Sequence, residues 1–212
     1  MEEFNTIAEN VEITAEIVEK KSRFIANMFY ISNVIEAEEI IKKIKKKYHD
    51  AKHNCIAYRV IEDGKVIERS SDDGEPSGTA GAPMLTILQK NDLCNILVVV
   101  TRYFGGILLG TGGLVSCYSN ATLDALEKAP KIKKCMGIEA EVELDYPNLE
   151  IFKYYCKNEQ INIVGIEYSD KIICKIETEN SKIDKFMQDI SLKNIIVKEL
   201  KVLNKKYISK SK

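Results

Sequence analysis

The chain has no tryptophan, only two histidines and only four arginines, and it lacks an excess of charge of either sign. Its 212 residues carry 31 basic and 32 acidic side chains, so the formal net charge is −1. A protein that holds nucleic acid through a general electrostatic field needs a clear excess of basic residues. The sequence excludes that class, and no DNA specificity is expected.

Closely spaced metal ligands are also lacking. The six cysteines are far apart and none forms a C-x-x-C pair, so a structural zinc site is excluded. Most of the cysteines lie within apolar runs, which predicts small buried side chains. We therefore expect no metal and no cofactor.

Long hydrophobic runs are absent as well. The first ten residues are acidic and polar, unlike a signal peptide, and the longest apolar run, ILVVV at residues 96–100, is far too short to span a bilayer. These features predict a cytoplasmic protein with reduced thiols and no membrane contact.

Two series of secondary-structure patterns follow one another along the chain. The first predicts a hairpin, a helix, a second hairpin around Asp63-Gly64, a short helix, a buried strand and a longer helix. The second has the order β-α-β-β-α-β of a ferredoxin-like fold, with Asn180 or Ser181 as the cap of its last helix. The sequence predicts an α+β protein with domains at residues 1–132 and 133–212.

A glycine-rich segment, TRYFGGILLGTGGL, occupies residues 101–114. A strand that ends at Arg102 and Tyr103 is followed by glycines and then a helix, an arrangement that can hold an anion on backbone N–H groups. Neither G-K-[ST] nor G-x-G-x-x-G is present, and tight turns with close helix packing explain the same pattern. The glycines concerned are Gly105, Gly106, Gly110, Gly112 and Gly113.

The segment SSDDGEPSGTAGAP, residues 70–83, concentrates carboxylates, glycines and prolines. Asp72, Asp73 and Glu75 could bind Mg²⁺ or exchange a proton as acid and base. The alternative is an ordered turn in which Asp73 caps Gly74 and the residues after it, while Thr79 caps the next helix. We expect an exposed functional surface more than a catalytic loop.

The remaining candidates are histidine, cysteine and arginine side chains. His53 and Cys55 face the same side of a strand and could form a catalytic pair, although a buried structural cysteine is favoured. Arg23, Arg59 and Arg102 could form a phosphate-binding cluster, or each could pair with a carboxylate such as Asp72 or Glu75.

Lysines and aromatic residues offer two further contacts with RNA. The cluster at residues 42–49 is predicted to be the solvated face of a helix. In the cluster at residues 198–212, the last strand is predicted to end near residue 203, and the C-terminal lysines are predicted to form a frayed tail able to touch RNA phosphates. Tyr103 and Phe104 beside Arg102 are candidates for stacking on RNA bases.

Four segments together resemble the IMPACT family, specifically its bacterial YigZ-like branch. They are KKSRFIA at residues 20–26, AKHNCIAYR at 51–59, DDGEPSGTAGAPM at 72–84 and VVVTRYFGGILLGTGGL at 98–114. The resemblance implies a first domain of the ribosomal-protein-S5 domain-2 type, shared with domain IV of elongation factor G. It implies a second, ferredoxin-like domain similar to domain V of that factor.

The resemblance also bears on function. Eukaryotic members of the family regulate translation by binding a protein activator of the kinase of translation initiation factor 2, with an RWD domain that has no counterpart in this sequence. Family members often carry a basic residue soon after the GTGGL glycines, where this chain has Ser116. The implied function is a non-enzymatic binding protein that contacts RNA, the ribosome or a translation factor.

Two alternatives to this function remain open. One is an enzyme or binder of a small phosphorylated or nucleotide ligand, with the glycine segment and the acidic loop as its site. The other, a hydrolase, would use Cys55 and His53.

Overall fold

The computed structural model describes residues 3–210, which divide into two compact units: Glu3–Ile132, and a second that begins at Lys133. The first unit contains β1 (Glu3–Ile7), β2 (Ile13–Glu19), β3 (Ser22–Tyr30), α1 (Val34–Lys47), β4 (His53–Glu62), β5 (Lys65–Ser71), α2 (Gly81–Lys90), β6 (Ile96–Tyr103) and α3 (Gly110–Lys128). The second contains β7 (Lys131–Leu144), α4 (Leu149–Glu159), β8 (Asn162–Tyr168), β9 (Ile172–Glu179), α5 (Ile183–Ser191) and β10 (Glu199–Ser209). The first two residues of β7 precede the boundary, and the rest of the strand belongs to the second unit.

An antiparallel sheet with the order β2-β3-β6-β4-β5 forms the middle layer of the first unit. Its central strand, β6, is buried on both faces, as its run of β-branched residues predicts. Val98 and Val100 enter the core beneath α2 and α3, whereas Leu97 and Val99 enter the core beneath α1. The alternating side chains of one strand thus serve two helix layers.

Local sequence signals explain the elements of this unit. Asn33 caps α1 by accepting a hydrogen bond from the N–H of Glu36 at 2.8 Å. Asp63 and Gly64 have φ values of 49° and 73°, as the predicted two-residue hairpin turn requires. The lysines of α1 are exposed, which confirms the prediction of a solvated helix face.

The second unit has the sheet order β10-β7-β9-β8, with α4 and α5 packed on one face. This order and the β-α-β-β-α-β succession confirm the predicted ferredoxin-like fold. On the other face, lysines and glutamates pair across strands, as when Lys206 bridges Glu139 and Glu177.

Two expectations about this unit were wrong. Asn180 and Ser181 lie inside a 3₁₀ turn (Asn180–Lys182), so α5 begins at Ile183 and has no side-chain cap. Most of the lysine-rich C-terminal segment is not a tail, because residues 199–209 form β10, which pairs with β7. The final two residues lie outside the described part of the chain.

Two composition-based expectations can also be compared with the structure. All six cysteines are free and buried, which confirms that they act as small core residues. Within residues 3–210, no helix is long and apolar enough to cross a membrane.

Candidate functional site

Most of the predicted residues meet at one end of the first unit's sheet. At this end β3 and β4 begin and β6 finishes, so Arg102 lies between Phe24 of β3 and His53 of β4. The acidic loop, residues 70–83, contacts β4 here, and the glycine segment leaves β6 toward α3. Most of the candidate residues named from the sequence therefore lie near one another, although several side chains have roles other than those expected.

Arg102 is buried rather than exposed. Its Nη1 donates to Glu75 Oε1 at 2.7 Å, and the exposed fractions of the two side chains are 7% and 3%. Tyr118 of α3 donates its hydroxyl to the same carboxylate oxygen at 2.8 Å. Arg102 also lies over the Phe24 and Phe104 rings, at 5.4 and 5.6 Å. This arrangement confirms the ion-pair alternative for Arg102, and burial leaves neither Arg102 nor Glu75 accessible to a partner.

Asp72 holds the acidic loop together and caps the following helix. Its carboxylate accepts hydrogen bonds from the backbone N–H groups of Gly78, Ala80 and Gly81, at 2.8 to 3.0 Å. Burial raises the pKa of this carboxyl, but the three donors outweigh that effect and the net pKa is lowered. Thr79 was the expected cap, yet it is buried and its hydroxyl donates to the Pro76 carbonyl.

Asp73 points to different partners. One carboxylate oxygen accepts from the N–H of Asn54 at 2.7 Å, and the other pairs with Lys45 at 2.7 Å. Its carbonyl lies 2.9 Å from His53 Nδ1. Asp72, Asp73 and Glu75 therefore diverge, and the described residues contain no group of three or more side chains suited to a metal ion.

Cys55 is buried beneath the acidic loop, where its thiol donates to the Asp72 carbonyl at 3.0 Å. Burial raises the pKa of the Cys55 thiol to about 12. A catalytic cysteine needs an accessible thiolate near neutral pH, and Cys55 meets neither requirement. The geometry gives no support to a Cys55–His53 hydrolase.

We expect Cys55 to make the protein less stable at alkaline pH. The unfolded thiol loses its proton near its ordinary pKa of 9.0 and the folded thiol only near 12, so between these values the unfolded state binds fewer protons. The free energy of unfolding should therefore fall by up to about 1.4 kcal/mol per pH unit through this window. Urea denaturation at pH 8, 9 and 10 should show that the free energy of unfolding declines less with pH in Cys55→Ala than in the wild type. Equal declines in the two proteins would contradict the raised pKa of Cys55.

The other arginines do not join Arg102. Arg23 is exposed, forms two hydrogen bonds with Glu16 at 2.8 and 3.1 Å and lies over the Tyr103 ring. Arg59 pairs with Glu68 and donates to the Leu93 carbonyl. Arg59 is six residues from His53 along β4, which places it about 20 Å away, so the expected three-arginine cluster does not form.

The glycine segment is only partly a loop, because α3 begins at Gly110 and includes Gly112 and Gly113. A Cβ atom on Gly105 would lie 2.0 Å from the Lys21 carbonyl carbon, so this glycine permits a close approach to the β2–β3 turn. Gly106 and Gly110 have φ values of 83° and 71°, in the region that favours glycine. The packing alternative therefore accounts for these three glycines.

Sequence reasoning missed three features of this end of the sheet. Tyr118 was not singled out, although its place one helical turn after Leu114 predicts an inward direction. The exposed residues Ile107 and Leu108 were passed over in favour of the glycines around them. Tyr103 bonds through its hydroxyl to Asp50 at 2.7 Å, and therefore lies apart from the Arg102 guanidinium.

Comparison with known proteins identifies the family. The model for the Impact N-terminal domain matches residues 20–126, and one for a domain of unknown function, DUF1949, matches residues 142–191. IMPACT family member YvyE of Bacillus subtilis is 39% identical over 82% of this chain and 79% of that protein. The chain belongs to the IMPACT family. Family member YigZ of Escherichia coli is 33% identical over 88% of this chain and 91% of its own.

Two further matches show how far the likeness extends. A crystal structure of a hypothetical protein superposes with a TM-score of 0.62 at 29% identity, covering 96% of this chain and 98% of the other. The IMPACT homolog of Dictyostelium discoideum is 42% identical over 97 residues, which are 28% of its length. The two bacterial relatives thus match 82% and 88% of the chain, and the eukaryotic homolog matches a shorter part.

Proposed function

We propose that this protein is a non-enzymatic binding protein that acts in translation and contacts RNA, the ribosome or a translation factor. The observation that carries the proposal is that the polar side chains at this end of the sheet are bonded internally while the neighbouring segment is exposed. The side chains that could perform chemistry there are engaged in internal bonds, whereas the segment that follows Arg102 is exposed on a rigid base. Such a site is suited to contact with a partner.

The link to translation rests on family membership. The resemblance implies that eukaryotic IMPACT proteins regulate translation, and this chain belongs to their family. The share of the Dictyostelium protein that is matched is too small to transfer that protein's own partners. The proposal therefore concerns a role in translation, and the binding partner has to be identified by experiment.

Two basic residues, Lys20 and Lys21, lie in the turn between β2 and β3 that the exposed segment packs against. Both are exposed, and Gly105 packs directly on the backbone of Lys21. These two lysines are better placed than Arg102 to meet phosphate groups of ribosomal RNA, because Arg102 is already neutralised by Glu75.

Co-sedimentation with purified ribosomes and subunits, at low and raised salt, tests the proposal. We expect binding that falls as salt rises, and a several-fold smaller bound fraction for the variant Lys20→Glu/Lys21→Glu. The variant Lys42→Glu/Lys43→Glu changes two exposed lysines of α1 by the same charge and should bind like the wild type.

Absence of binding to ribosomes and subunits at low salt would reject ribosomal contact. A thermal-shift measurement with ATP and Mg²⁺ then distinguishes a nucleotide-binding protein from one that binds a translation factor or another RNA. A raised melting temperature would favour the nucleotide alternative over a translation role.

A further inference from the structure

An uncharged stretch begins immediately after Arg102. Residues 103–123 contain no Asp, Glu, Lys or Arg, although such residues make up 30% of the chain. Twenty-one consecutive uncharged residues are expected in a buried segment, yet eleven residues of this one are exposed. Its exposed positions are Phe104, Gly106, Ile107, Leu108, Gly110, Thr111, Gly112, Val115, Ser116, Asn120 and Leu123.

Apolar side chains dominate the start of this stretch. Leu108 is 83% exposed, Phe104 53% and Ile107 44%. Soluble proteins scatter single apolar residues over their surfaces, but a contiguous group of large ones marks an interaction site. We call Phe104, Ile107 and Leu108 the apolar loop.

The apolar loop stands on rigid supports. Gly105 donates its N–H to Ser22 Oγ at 3.1 Å and lies against the β2–β3 turn. The Phe104 ring lies over the buried Arg102 guanidinium, and Leu114 and Tyr118 of α3 are in the core. These contacts fix the two ends of the apolar loop, which lowers the entropic cost of ordering it on a partner.

Charged side chains lie on two sides of the apolar loop. Beside Tyr103, Asp50 accepts a hydrogen bond from the tyrosine hydroxyl and Arg23 is paired with Glu16. Among the described residues around the apolar loop, the unpaired positive charge is therefore in the β2–β3 turn.

Lys20 and Lys21 are exposed in the adjoining turn, next to Glu19, which leaves this rim with a net positive charge. The first turn of α3 carries no acidic residue, so its dipole adds to the positive potential. An apolar surface with a positive rim is complementary to an apolar segment that carries a carboxylate.

We infer that the apolar loop is a docking surface for an acidic, apolar protein segment. The segment's apolar side chains cover Phe104, Ile107 and Leu108, and its carboxylate pairs with Lys20 or Lys21. RNA fits less well, because its backbone needs a track of cations and residues 103–123 provide none. This inference rests on the proposed function and names its partner as a protein.

A displayed library of random twelve-residue peptides, selected on the full chain, tests the inference. We expect enriched peptides to combine Leu, Ile or Phe with Asp or Glu. Fluorescence anisotropy of a synthesised peptide should show at least a tenfold weaker Kd for Leu108→Ser, and also for Lys20→Glu/Lys21→Glu. Ile35→Ser is the matched control, because Ile35 is an exposed apolar residue on α1, and it should change Kd by less than twofold.

Three outcomes would overturn the inference. They are a selection without enrichment, enrichment of basic peptides, and peptides that bind Leu108→Ser as tightly as the wild type. An oligouridylate that binds the chain in a Leu108-dependent manner would also overturn it, in favour of RNA. Ribosome co-sedimentation that persists in Leu108→Ser would leave the translation role intact while removing the apolar loop from it, so the two proposals fail separately.

Discussion

Replacing Arg102 by alanine is expected to lower the free energy of unfolding by about 3–5 kcal/mol, because it leaves the Glu75 carboxylate buried without its cation. The same substitution removes the cation from between the Phe24 and Phe104 rings. Chemical denaturation monitored by circular dichroism measures the loss. A weakened interaction of this variant with any partner would therefore report unfolding rather than a lost contact.

Two controls isolate the buried pair. Arg69→Ala removes the cation of an exposed pair with Glu38, and it should cost less than about 1 kcal/mol. Arg102→Met/Glu75→Gln keeps an acceptor for Tyr118 and leaves no buried charge, so it should be more stable than Arg102→Ala. The assignment would be rejected if Arg102→Ala proved no more costly than Arg69→Ala.

Replacing Gly105 by alanine is expected to cost about 3 kcal/mol, the upper end of the usual range for overpacking. The new methyl group would lie 2.0 Å from the Lys21 carbonyl carbon and 2.3 Å from the Ser22 nitrogen, so the backbone itself must move. The hydrogen bond from the Gly105 N–H to Ser22 Oγ would be strained by that movement. Thermal and urea unfolding measure the effect.

Gly112→Ala is the matched control in the same segment. A Cβ atom at Gly112 meets nothing within 4 Å, and the residue lies in the first turn of α3. Because alanine favours helix more than glycine does, this variant should gain about 0.5 kcal/mol. Equal effects at the two positions would show that the glycines act through chain flexibility and not through close packing.

The acidic loop and the glycine segment both have structural roles at this end of the sheet. The acidic loop is a structural clamp, in which Asp72 caps α2, Asp73 binds β4 and Glu75 neutralises Arg102. In the glycine segment, Gly105 permits close packing on the β2–β3 turn, and Gly110 begins α3. The carboxylates of the acidic loop are engaged in bonds within the unit, whereas the side chains of the apolar loop are exposed and, among the described residues, contact no charged partner except Arg102 beneath Phe104.

Much of the fold could be predicted because its signals are local. Alternating apolar residues define β2, β3 and β4, Asp63-Gly64 defines a hairpin turn, and the β-branched run of β6 indicates a strand covered on both faces. The succession of elements in the second unit likewise contains the ferredoxin-like order. Periodicity and turn chemistry depend only on neighbours in the chain, so they can be recognised without knowing the fold.

The partners of the polar side chains could not be predicted in the same way. Arg102, Glu75 and Tyr118 are separated by 27 and 43 residues, and no local pattern relates them. The sequence predicts Thr79 as the cap of α2 because caps are usually adjacent, whereas Asp72 caps the helix from a position nine residues before Gly81. Long-range pairings of this kind form only when the sheet brings distant segments together.

The sequence by itself determined the two-part α+β architecture and the buried cysteines, and it predicted that the acidic loop lies beside the glycine segment. Only the tertiary structure decided which of those residues are exposed. The sequence favours exposure for the charged residues Arg102 and Glu75, but their ion pair offsets the free-energy cost of burying them. Leu108 is the opposite case, an apolar residue that is exposed. The physical reason is that burial depends on what the rest of the fold places beside a side chain, and not on the side chain alone.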